Sequence, residues 1–85
     1  MNLSAELIEY RDSFKATLAP IFDLFDYKKT TLHPEKWMEF IVSTKARIIS
    51  NPEQFLGKVL PSESVVKEIV QEIIEEYIEQ EVVEA

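Results

Sequence analysis

Apolar residues return every three to four positions along most of this chain, with polar residues between them. That is the period of an α-helix, not the two-residue alternation of a half-buried strand. The first such segment runs from about Ser4 to Asp26. Leu3, Leu7, Phe14, Leu18, Ile21 and Phe25 project onto one narrow stripe, with Ile8 and Phe22 on one side of it and Tyr10 on the other. Ser4 is placed to cap the start, Glu6 suits the first turn, and Leu3 and Ile8 have the spacing of a hydrophobic staple. Pro20 falls inside the pattern, where it removes a backbone hydrogen bond and crowds the preceding turn. The stripe keeps its phase across Pro20, so one long kinked helix is expected in preference to two separate ones.

Residues 27–33 read as a connecting loop. Pro34 suits the first position of a helix, and the residue before a proline is pushed into extended backbone, which makes His33 the cap. The second helix should run to about Ser50, with Trp37, Phe40, Ile41, Thr44 and Ile48 as its stripe and Met38, Val42 and Ile49 beside it. Asn51-Pro52-Glu53-Gln54 then offers a cap, a proline at the first helical position, an acid in the first turn and a glutamine at the third position. With Gly57 as a stop, a short helix from Pro52 to about Leu56 is expected. Lys58-Val59-Leu60-Pro61 is a second linker, and Ser62 caps a last helix reaching about Val83. At 1.5 Å per residue that helix is roughly 30 Å long.

The last helix departs from a surface pattern. Val65-Val66, Ile69-Val70, Ile73-Ile74 and Tyr77-Ile78 are adjacent pairs four apart, and together they cover more than half of the helical circumference. A surface helix usually needs an apolar stripe only somewhat over 100° wide. Either the helix lies in a groove between two others, or part of this face meets a second protein. The sequence therefore predicts a small all-α, three- to four-helix bundle: a long kinked first helix, a second helix, a short third and a long C-terminal one, with dimerisation as a means of completing it. Residues 1–85 form a single domain, with residues 80–85 expected to fray.

Composition narrows this picture. With no Cys and one His there is no disulfide and no structural zinc site of the usual kind, so a chain of 85 residues must rely on helix packing or association. The net charge of −7 is uneven: residues 1–60 are neutral, and the acid excess lies in residues 61–85. A bulk negative field opposes nucleic acid and anionic membranes. Lys28, Lys29, Lys36, Lys45, Arg47 and Lys58 are scattered and form no basic stripe, so direct nucleic-acid binding is not expected; some of them should sit beside the acidic helix. The N-terminus lacks a basic stretch followed by an apolar run, and no segment approaches the length of a membrane span, so a cytoplasmic location is expected.

No constellation of catalytic residues emerges. His33 has no nucleophile or carboxylate at a recognisable spacing and is expected to serve only as a helix-entry residue. There is no Gly-rich phosphate loop and no calcium-loop pattern. Glu68, Glu72, Glu75, Glu76 and Glu79 share one face of the last helix, but the Glu-x-x-His partners of a di-iron bundle are missing, so a solvated acidic face is expected. The expectation is thus a non-enzymatic protein without cofactor or metal. It would act as an interaction or regulatory module (adaptor, inhibitor or assembly factor) through the apolar flank Val70, Ile74, Tyr77 and Ile78. Its partner would be another protein or, in a homodimer, itself. The alternative is an acidic mimic of nucleic acid that inhibits a basic nucleic-acid-binding protein, for example in antagonism of phage defence.

Overall fold

The computed structural model describes residues 3–83, and side chains for residues 7–81. Five helices follow one another: α1 (Leu3–Thr17), α2 (Ala19–Thr31), α3 (Pro34–Ser50), α4 (Pro52–Leu56) and α5 (Glu63–Val83). The architecture is the all-α bundle that the periodicity predicts, with no strand among the described residues.

The first long segment is two helices joined by one residue. Leu18 leaves helical geometry (φ −88°, ψ 1°), and Pro20 occupies the first turn of α2, where its missing N–H leaves no gap. The joint remains hydrogen-bonded. The Leu18 N–H donates to the Phe14 carbonyl at 2.8 Å, and its own carbonyl accepts from Ile21 and Phe22 at 2.9 and 3.0 Å. The stripe survives the break: Phe14, Leu18 and Phe25 are all buried. A break at Leu18 thus replaces the kink expected at Pro20. At the other end, Leu3 and Ser4 are already helical, so Ser4 does not cap α1 from outside. The staple between Leu3 and Ile8 involves a side chain outside the described residues.

The expected loop at residues 27–33 shortens to Leu32 and His33, because α2 continues to Thr31. Nothing between Asp26 and Pro34 breaks a helix, and Lys28 and Lys29 in the last turn favour its negative end. Their ammonium groups also lie over rings of α3: that of Lys28 is 5.6 Å from the Phe40 ring centroid and that of Lys29 5.4 Å from Trp37.

The next three helices follow the sequence signals closely. His33 is extended (φ −60°, ψ 147°) before Pro34 and makes no side-chain cap bond; its carbonyl accepts the Trp37 N–H at 2.8 Å. Asn51 precedes α4 but does not cap it with its side chain; its backbone carbonyl accepts from Gln54 at 3.1 Å. Gly57 ends α4 at φ 97°, a conformation costly for any residue with a Cβ. The Ser62 carbonyl accepts the Val66 N–H in the first turn of α5. α5 is unbroken to Val83, while residues 84 and 85 of the segment expected to fray lie outside the described residues.

α5 lies against both α1 and α3, α2 packs on α3 and α1, and α4 fills the end of the bundle between α3 and α1. The core draws on every helix: Phe14, Phe25, Trp37, Ile41, Ile48, Leu56, Val66, Ile69, Val70, Ile73 and Ile74, with Leu18 at the α1–α2 joint. Burial of each large apolar side chain contributes about 1.5–3 kcal/mol. One buried polar contact fixes α2 on α3: the Trp37 indole Nε1–H donates to the Phe25 carbonyl at 2.8 Å.

Candidate interaction surface

α5 positions two sets of side chains, and the fold treats them oppositely. On its inner flank Val70 is 0% and Ile74 2% exposed, while Tyr77 and Ile78 are half-buried against the core. The wide apolar face is accounted for by the helix's neighbours: α1 on one side, α3 on the other, and the α2 aromatics at Tyr77. The premise for a partner seam through Val70 and Ile74, an apolar surplus that one chain could not cover, does not hold in this fold.

Tyr77 joins that flank to α2. Its ring stacks on Phe22 with centroids 5.2 Å apart and tilts against Phe25 and Trp37. Its hydroxyl donates to Asp26 Oδ1 at 2.6 Å. Burial first, and then the hydrogen bond to Asp26 and the charges of Asp26 and Glu81, push the Tyr77 hydroxyl well above its ordinary pKa of 10.0.

The acidic row also divides. Arg11 pairs with Glu72, and Lys15 with Glu76 at 2.8 Å. The two bases are one helical turn apart on α1 and the two acids one turn apart on α5, so adjacent turns meet in register. Lys29 extends the seam from α2, reaching the Glu81 carboxylate at 3.2 Å and its carbonyl at 3.3 Å. The hydrogen bond and charge of Lys15 hold the Glu76 carboxyl below its ordinary value of 4.5. Glu68, Glu75 and Glu79 have no ion-pair partner among the described residues and are exposed; Gln71 donates an amide hydrogen bond to Glu75 at 3.0 Å. The face of five glutamates is therefore a paired inner line, Glu72 and Glu76, and an open outer line. Sequence reasoning missed Arg11 and Lys15, although two bases four apart opposite two acids four apart were there to be matched.

Beside the open line, Leu7, Ile8, Arg11, Glu68, Ile69 and Glu72 border a depression of about 270 Å³ between α1 and α5. Ile8 is 49% exposed there, about as open as Val42 on α3 at 51%. Asp12 stands one turn further along the same face of α1 and is also exposed. A second, flatter apolar patch lies on α3, where Met38 and Val42 are framed by Glu35, Glu39 and Ser43.

Among the described residues no group of three or more His, Cys, Asp or Glu is arranged to hold a metal ion, and no helix is long and apolar enough to cross a membrane. His33 is exposed at the start of α3. Comparison with protein-family models, curated proteins and solved structures returned no match to this chain.

Proposed function

We propose that this protein is a non-catalytic module that binds another protein through the outer surface of the α1–α5 pair. The observation that carries this reading is the half-exposed Ile8 in a depression floored by Leu7 and Ile69 and walled by Glu68 and Glu72. An apolar contact ringed by charge is the usual composition of a specific protein-binding surface. The apolar flank of α5 supports the reading less well than its pattern promised, because Val70 and Ile74 lie inside the chain. A cytoplasmic setting agrees with the absence of cysteine.

A second reading, an acidic mimic that occupies the nucleic-acid site of a basic protein, is favoured by one observation. Glu68, Glu75 and Glu79 stay open after Arg11, Lys15 and Lys29 have engaged their neighbours. The two readings differ in what they need from Ile8. Photo-crosslinking in the native cell, with a photoreactive amino acid at position 8 or at position 79, tests both. A discrete adduct from position 8 is expected; adducts from position 79 alone would favour the mimic, and none from either would reject a binding role for this surface.

A further inference from the structure

We propose that the depression between α1 and α5 receives a basic amphipathic helix of a partner protein. One of its apolar side chains would sit on Ile8, and its lysines or arginines would face Glu68 and Glu75. This inference rests on the binding role proposed above and specifies the chemistry of the partner.

Shape comes first. The depression lies along the seam of two packed helices, and its floor of Leu7, Ile8 and Ile69 is apolar. A third helix laid along such a seam presents anchors at i, i+3 or i+4 and i+7 to its floor. The open carboxylates continue past the depression: Glu68 and Glu75 border the adjoining surface of α5 with Ser64, Lys67, Gln71 and the paired Glu72.

Charge then selects the occupant. Of the two bases here, Arg11 is already paired with Glu72, leaving Lys67 against Glu68, Glu75 and, on α1, Asp12. A nucleic acid or an anionic membrane would meet this edge with like charge. Two copies of the chain would oppose the same glutamates to each other. A basic segment meets it with opposite charge, and its apolar side chain removes Ile8 from water.

Fluorescence anisotropy tests the inference with the full chain and a labelled synthetic peptide of about 18 residues, long enough for five helical turns. The peptide carries leucines at i, i+4 and i+7 and lysines on both flanks; a scrambled isomer has the same charge but no apolar stripe. The amphipathic peptide is expected to bind more tightly than the scrambled one. Ile8→Asp and the double variant Glu68→Lys/Glu75→Lys should each weaken binding about tenfold or more, as loss of a central anchor does. Val42→Asp, on α3, should leave it unchanged. Raising the salt from about 50 to 500 mM should weaken binding to wild type more than to the double variant. Circular dichroism checks that each variant remains helical. Equal affinity for both peptides, or full affinity in Ile8→Asp, overturns the inference. So does a cross-link from position 8 to a partner segment without basic residues, which would leave the general binding role intact.

Discussion

The inner and outer sides of α5 read alike in one respect and differ in what the fold does with them. Each is a row at helical spacing, one of β-branched apolar residues and one of glutamates. The inner row is enclosed, because α1, α3 and the aromatics of α2 reach it from three directions. The outer row is half enclosed: Glu72 and Glu76 close onto α1, while Glu68, Glu75 and Glu79 stay open. The width of an apolar face thus reports how many neighbours a helix has and is silent about whose they are. A charged row reports a surface only after its bases have been located.

Substitutions on the two sides should separate them by energy. Ile74→Glu would place an unpaired carboxylate where the side chain is 2% exposed. The expected loss is on the order of 4 kcal/mol or more, a large part of the roughly 5–15 kcal/mol that holds a domain together. The cooperative thermal transition followed by circular dichroism should therefore disappear. A folded monomer, the outcome expected of a dimer seam, would mean the flank is not a core.

Trp37→Phe keeps a six-membered aromatic ring but removes the pyrrole ring and, with it, the indole donor to the Phe25 carbonyl. The expected cost is about 1–3 kcal/mol, read as a lower urea midpoint with unchanged slope. Tyr77→Phe removes an exposed hydrogen bond to Asp26 and should cost about 1 kcal/mol or less near neutral pH. Because the folded hydroxyl titrates above the ordinary 10.0, its contribution is complete below that pH and declines as the pH rises past it. Urea midpoints measured from pH 8 to 11 should fall more steeply in wild type than in Tyr77→Phe.

The smallest effect belongs to the seam. Lys15→Gln should cost about 0–1 kcal/mol and less in high salt, since both partners are over a third exposed. The Glu76 carboxyl titrates below 4.5 in the fold, so what the pair contributes is present above that pH and is lost as the pH falls beneath it. Acid unfolding of Glu76→Gln should therefore lack this component.

The sequence made local geometry legible wherever one residue type decides it. Pro34 set the start of α3, Asn51-Pro52 the start of α4 and Gly57 its end. Phase was equally readable, since Phe14, Trp37, Ile41, Thr44 and Ile48 all fell on their predicted stripes. The end of α2 moved from Asp26 to Thr31 for a local reason, since nothing before Pro34 breaks the helix, and the lysines that read as a loop lie over the rings of α3. What else failed depended on contacts distant in sequence. The acidic face divided because Arg11 and Lys15 lie sixty-one residues away from Glu72 and Glu76 in the chain. The wheel of α5 showed a surplus but could not show that α1, α2 and α3 converge on it. Ile8, counted as a flank of the first stripe and as half of a hydrophobic staple, proved to be an exposed residue beside the open Glu68.

The chain has no cysteine, so a single introduced thiol reports its own environment. Thiol labelling rates of Ile74→Cys and Ile8→Cys, compared under native conditions, test the division of surface most directly. The account predicts that position 74 labels only through global unfolding, while position 8 reacts at nearly the rate of a free thiol. Rapid labelling at position 74, or protection at position 8 as strong as in the core, would contradict it.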